Sequence, residues 1–352
     1  MSKTKRAKFL LPILSPLIAI TCALIVGAIL ISLAGANPIT AYTALFQESL
    51  TTYFGLGNTL TKMTPLLFTS LGVLVALKAG QFNIGGEGQI YLGALGSTLI
   101  GLYTPQLPAL IHIPLALCAG FLFGAVWGGI PGYLKAVKGI NEVITTLLLN
   151  YIAVNLVSYL VQHPLKAPAA PSPYSPIIAK SAQLPIILPQ SLAHAGIVLS
   201  LIAAGILWVI LERSPLGYQI AAVGFNPIAA RYARISVEST IILVMAVAGG
   251  LAGLAGASEV MGLKYRLFEQ ISPGYGFDAI AIAFLSRGSI SGVILTSLFF
   301  ATLRSGANVM QRSAGVPLTV VYAIQGLTVL FIAISLAIET KIRIKTQSNT
   351  EA

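Results

Sequence analysis

The stretch from Gly88 to Leu134 runs for 47 residues without one Asp, Glu, Lys or Arg. A membrane span needs roughly 20 mostly apolar residues, so this stretch alone holds two. Similar charge-free stretches cover 9–47, 143–165, 181–211, 239–258 and 313–338. Only 9% of the chain is charged, against about 25% in an average soluble domain. A soluble protein this poor in charge would lack polar cover for its surface. The expected fold is therefore all-α: a polytopic integral membrane protein in one transmembrane domain, 1–352.

Hydropathy predicts about ten helical segments: 9–33, 57–78, 84–103, 110–134, 142–162, 192–211, 240–262, 276–287, 289–303 and 317–338. The first follows a basic run, Met1–Lys8. It exceeds the 7–15 residues of a secretory core, so it reads as a retained helix. The eighth and ninth are short, either a helix pair broken at Ser286-Arg287-Gly288 or a partly re-entrant hairpin near 276–303. With an inside amino terminus and ten crossings, 14 of the 21 basic residues fall inside and six outside. That bias follows the positive-inside rule and places both termini in the cytoplasm. The Pro-rich loop 163–191 is then external and 212–239 cytoplasmic.

The net charge of +11 does not indicate nucleic acid, because the basic residues cluster at segment ends and no basic face with interleaved aromatics is present. Cys22 and Cys118 lie in apolar segments and imply no metal site or disulfide framework. No G-x-x-x-x-G-K-[ST] occurs, so the chain has no loop of its own to cradle nucleotide phosphates. There is no H-E-x-x-H and no G-x-S-x-G. An enzyme is not expected, and no cofactor.

Glu87, Glu142 and Asp278 each fall in the first turn of a predicted helix, where the dipole favours an anion. They are either structural helix-start carboxylates or polar groups lining a pathway or gate. Asn83 and Gln89 accompany Glu87 as candidates. Glu259 lies deeper, with either a pathway role or a structural pairing to Lys264 or Arg266. Small residues at four-residue spacing, Gly249, Gly253 and Ala257, predict close helix approach. In the cytoplasmic loop, Asn226-Pro227 is an N-cap followed by proline at the first helical position. A short surface helix follows.

Four stretches in order resemble one family. Phe82–Gln89 (FNIGGEGQ), Gly224–Ala233 (GFNPIAARYA), Ile271–Ala281 (ISPGYGFDAIA), and Ala314–Pro317 with Ile324–Leu327 are similar to permease subunits of bacterial ATP-binding-cassette importers. The branch is that of nucleosides and simple sugars, related to ribose and branched-chain amino-acid permeases. The resemblance spans roughly 55–335. It implies nucleoside import by alternating access, with a ribose-like pentose as the alternative and an ion-coupled secondary transporter as a distant rival. It implies a second permease in a heterodimer, a separate ATPase that binds ATP and Mg, and an external substrate-binding lipoprotein, all at the bacterial plasma (inner) membrane. It assigns coupling to the ATPase to Gly224, Asn226, Pro227, Ala229, Ala230, Arg231, Tyr232 and Arg234. The family usually has glycine where this chain has Arg234, so Arg234 is expected to extend the coupling helix or add a contact.

Overall fold

The structure is a computed structural model that describes residues 3–168, 171–317, 319–328, 330–331 and 334–335. It is helical, with no β-strand among the described residues and only two isolated bridges, Tyr174 with Phe268 and Ile186 with His194. Two compact units are present. One comprises Met1–Leu56 and Thr302–Ala352. It holds α1 (Lys3–Leu33) and α2 (Pro38–Thr51), where hydropathy placed no segment. Gly35 turns the chain between them at φ +81°, and the Asn37 side chain caps α2. The Tyr42 hydroxyl donates to Leu24 O at 2.8 Å, closing the hairpin.

The other unit is Gly57–Ala301. Its helices are α3 (Tyr53–Lys78), α4 (Gly86–Tyr103), α5 (Ala109–Lys138), α6 (Glu142–Gln162), α7 (Gly196–Arg213), α8 (Pro215–Phe225), α9 (Pro227–Tyr232), α10 (Val237–Ser258), α11 (Tyr275–Leu285) and α12 (Ile290–Ala314). α3 and α12 each run past the boundary of this unit. α10 continues into a π-helical turn, Glu259–Lys264. Its core is the meeting of α4, α5 and α10, whose backbones touch through glycine. A Cβ on Gly120 would lie 2.7 Å from Ala257 Cβ, one on Gly124 2.8 Å from Gly253 Cα, and one on Gly128 2.5 Å from Met245 O. Gly93 of α4 backs onto Gly253 from the other side. The small-residue spacing in α10 is thus a packing seam.

The count of ten segments is not supported. Six helices among the described residues are long and apolar enough to cross a membrane: α3, α5, α6, α7, α10 with its π turn, and α12. Residues 18–33 and α11 are shorter apolar helices. α4, read from hydropathy as a span, is buried along most of its length. Burial does not decide the count, because α3 is 83% buried and still qualifies; α4 falls short because Glu87, Gln89 and its glycines dilute its apolarity. The pair near 276–303 is broken where expected: Arg287 and Gly288 take left-handed backbone at φ +52° and +78°. Residues 319–328 of the tenth segment are helical, whereas the basic tail with Lys341, Arg343 and Lys345 lies outside the described residues.

Candidate functional site

Two stretches of irregular backbone meet beside the middles of spanning helices. The first follows α3. Gly80 turns the chain at φ +70°, residues 81–84 run without regular structure, and α4 begins at Gly86. A Cβ on Gly86 would lie 3.1 Å from Thr69 in α3, and one on Gly88 2.9 Å from Asn150 Cα in α6. Both neighbours sit well inside their helices. Non-helical backbone at such a depth must find its partners in protein. Asn83 and Gln89 bind each other reciprocally, with Nδ2 donating to Oε1 at 2.9 Å and Nε2 to Oδ1 at 3.0 Å. Asn83 Oδ1 also accepts from Gly85 N–H at 3.0 Å. Asn150 accepts from Gly88 N–H at 2.8 Å and donates to Ile84 O at 2.9 Å. Thr146 accepts from Ile84 N–H at 3.3 Å. Asn150 and Thr146 lie on α6, and no local signal marked them as partners of the 83–89 turn.

The second stretch precedes α11. Gly274 stands at φ +95°, and Ser272 Oγ accepts from the N–H groups of Gly274 at 3.2 Å and Tyr275 at 3.1 Å. Glu87 Oε2 accepts from Gly276 N–H at 2.8 Å. The backbones are so close that a Cβ on Gly276 would lie 2.6 Å from Glu87 Cα. Phe277 and Asp278 N–H both go to Gly274 O at 3.2 Å. The first turn of α11 is therefore fully occupied, and Glu87 supplies the anion that its dipole favours. The Asp278 side chain is half-buried on the same turn. Glu259 is buried at the start of the π turn. Lys264 feels its attraction and the repulsion of Lys62, whereas Arg266 sits over the Tyr174 ring at 4.6 Å. Of the two foreseen partners of Glu259, Lys264 is in electrostatic reach.

Beside the end of α3, Asn226 Oδ1 accepts from Ile228 N–H at 3.0 Å and Ala229 N–H at 3.1 Å, as its position before Pro227 predicts. α9 ends at Tyr232. Arg234 then takes φ +59°, and Ile235 N–H returns to Ala230 O at 3.0 Å. This is the closing geometry normally given to glycine. Arg234 does not lengthen the helix; it occupies the glycine conformation at a cost of about 1 kcal/mol. Ala230 is buried against Val223, Val237 and Ile241, so it is a packing residue and not part of an exposed contact face. Gly224 is also a packing residue: a Cβ there would lie 3.0 Å from Gly80 N and Ala79 C, at the end of α3. Arg231 pairs with Glu238. The exposed face consists of Phe225 (95% exposed), Ile228 (70%) and Tyr232 (88%), with Pro227, Ala229 and Arg234 beside them. Three large apolar side chains are thus exposed on and beside this short helix.

Residues 174–195 fold back on the π turn. His194 is buried, and its ring fills the space over two glycines: a Cβ on Gly196 would lie 2.6 Å from its Cε1, and one on Gly262 2.6 Å from its Cδ2. Its Nδ1 accepts from Gly196 N–H at 3.1 Å. Burial pushes its pKa down to about 4. A lowered histidine pKa means that the unfolded chain binds the proton first. Stability is thus complete above about pH 6.5 and falls as pH drops towards 4, by about 3 kcal/mol over the whole window. The expected result is an acid-sensitive thermal midpoint in purified protein between these limits. His194→Asn should flatten that dependence, and an equally steep profile in the variant would remove His194 as its source.

Comparison with known proteins shows the family. Residues 55–333 match the family model for the permease component of the branched-chain amino acid transport system. The chain is 36% identical to a guanosine ABC transporter permease of Bacillus subtilis, over 93% of this chain and 94% of the relative. It is 36% identical to a nucleoside ABC transporter permease of Lactococcus lactis subsp. cremoris, over 93% and 92%. It is 37% identical to a glucose ABC transporter permease of Haloferax volcanii, over 91% and 87%. A second guanosine permease protein of Bacillus subtilis is 25% identical over 70% of this chain.

Proposed function

The chain belongs to the family of branched-chain amino acid transport system permease components, and from that premise we propose that it forms half of the translocation path of an ATP-driven nucleoside importer. The nucleoside reading rests on the two relatives named for guanosine and nucleosides and on the stretch Ser272–Asp278. A relative named for glucose keeps a simple sugar as the second reading. The pairing of two similar permeases in Bacillus subtilis supports a second, different permease subunit beside this one. ATP hydrolysis belongs to a separate cytoplasmic subunit, and delivery to an external binding protein. The basic residues Arg213, Arg231 and Arg234 support placing 212–239 on the inner side of a bacterial inner membrane.

The single observation that carries the coupling role is the exposed apolar face of Phe225, Ile228 and Tyr232. Its size and its position on a compact, capped helix fit a groove on the ATPase. ATP-driven closure of the ATPase would push on α9. Gly224 would pass that push to the end of α3, from which the chain leads directly into the Asn83–Glu87 junction. Rocking of α11 at that junction would then alternate access.

The test uses the complete transporter in cells. Ile228→Asp with Tyr232→Ser should leave membrane insertion normal, reduce co-purification of the ATPase at least tenfold, and reduce nucleoside uptake in parallel. Undiminished ATPase binding would end the coupling reading. Uptake of ribose in preference to nucleoside by the unaltered system would end the substrate reading.

A further inference from the structure

The π turn and loop 163–195 depend on each other for their hydrogen bonds. In a continuous α-helix Tyr265 N–H would pair with Met261 O. It pairs instead with Val260 O at 2.8 Å, five residues back. That leaves Met261 O without its helical donor. Leu184 N–H supplies the replacement at 2.8 Å, and Ile178 N–H bonds Tyr265 O at 2.9 Å. The imidazole of His194 lies where a side chain at 262 would point. Tyr265 itself is held at φ +56°, a conformation costly for a residue with a Cβ and one that persists only where the surroundings impose it. The turn is thus one residue out of helical register, and the loop supplies the bonds that keep it there.

We propose that residues 259–265 form a two-register element, and that loop 174–194 is the handle that selects between the registers. When the loop lifts, Met261 O takes back Tyr265 N–H. One residue then passes out of the turn, which rotates its end by about 100° and shifts it about 1.5 Å. Lys264 carries this onward, because its Nζ donates to Ile271 O at 2.8 Å and reaches Gln270 O at 3.4 Å. The segment it holds leads within five residues to Gly276, the donor to Glu87. Ser158 and Gln162 hold Glu269 in the same segment to α6, at 2.6 and 3.0 Å, and Ser175 of the loop exchanges two hydrogen bonds with Leu267, both at 2.9 Å. A protein pressing on the loop would therefore act on the Glu87 junction through the turn. This inference rests on the importer reading only for the identity of that protein; the register change itself is a property of this chain.

The test is made on the full transporter in lipid nanodiscs, with Cys22 and Cys118 replaced. Spin labels go on Tyr103→Cys and Gln270→Cys, both exposed positions. Leu184→Pro removes the donor to Met261 O. Gly262→Ala drives a methyl against the His194 ring, so it pushes towards the same register from the other side. Each should shift the label distance by several ångströms and speed amide exchange across 175–187 about fivefold or more, the equivalent of one lost hydrogen bond. The Tyr265 amide should stay protected, because it only changes acceptor. Adding His194→Ala to Gly262→Ala should restore the original distance. Exposure of the Tyr265 amide together with the loop would mean that the turn melts, and would overturn the proposal. An unmoved Gln270 label in either variant with a loosened loop would overturn it as well. If Leu184→Pro does not assemble, the Gly262→Ala pair decides alone. None of these readouts requires transport, so failure here is distinguishable from failure of the importer reading.

Discussion

Gly253→Leu should leave no folded protein in the membrane. Gly253 is where three helices share one point: Gly120 and Gly124 of α5 face it on one side and Gly93 of α4 on the other. Even a methyl there would lie 3.1 Å from Gly124 Cα and 3.2 Å from Gly120 C. These neighbours are backbone atoms, which cannot rotate away. Overpacking a well-filled core costs about 1–3 kcal/mol when side chains can yield, so Gly253→Ala should reach the upper end of that range. Leucine adds three further carbons and must separate the helices, which removes the dispersion contacts that hold them in lipid. Gly205→Ala is the control, because nothing lies within 4 Å of a Cβ at that position in α7. It should be neutral or stabilising by about 0.5–1 kcal/mol. Thermal midpoints by size-exclusion chromatography would rank the three. A Gly253→Leu variant as stable as Gly205→Ala would refute the seam as the core of this unit.

The second large effect is expected at Glu87, in the order Gln mild and Ala severe. Glu87→Gln keeps the side-chain length and an oxygen that can accept from Gly276 N–H. Glu87→Ala leaves that buried donor unmatched, at a cost of about 1–3 kcal/mol. This corresponds to roughly 5- to 150-fold in the population of the assembled junction. Gly276→Ala attacks the same contact from the other chain segment, since its methyl would crowd the Glu87 backbone, and should be at least as damaging as Glu87→Ala. Uptake at matched membrane levels is the measurement. A proton carrier at this position predicts a different result, in which loss of the charge alone abolishes transport. Equal loss in Glu87→Gln and Glu87→Ala would therefore discard the bracing role of the carboxylate.

Several elements of the larger unit were readable from residues within one helical turn of each other. Asn226-Pro227 is a local capping signal and caps α9 as expected, and Glu142 falls in the first turn of α6 as expected. The break at Ser286-Arg287-Gly288 follows from two short apolar runs around a glycine. Ala230 shows the opposite case. Its sequence neighbours made it one of a run of small residues on a docking helix, and only the position of Val223, Val237 and Ile241 shows that it points inward. Arg234 was read as a possible extension because a helix former stood where glycine was usual. The helix still ends, because its last carbonyls find their donors in the turn that Arg234 makes.

The sequence by itself determined that this chain is an all-helical membrane protein without its own nucleotide-binding loop, and which family's motifs it carries. Hydropathy, capping residues and glycine spacing suffice for that, since each acts over a few residues. Where the irregular backbone beside α4 finds its hydrogen-bond partners was decided only by tertiary structure, through Thr146 and Asn150 of α6. The partner of Glu87 was decided there too. Gly276 lies 189 residues away, and the bond exists because two irregular segments must satisfy their backbone groups from each other where water is excluded. That requirement is physical and general, but the segments that meet it are chosen by the packing of α3, α4, α6 and α11.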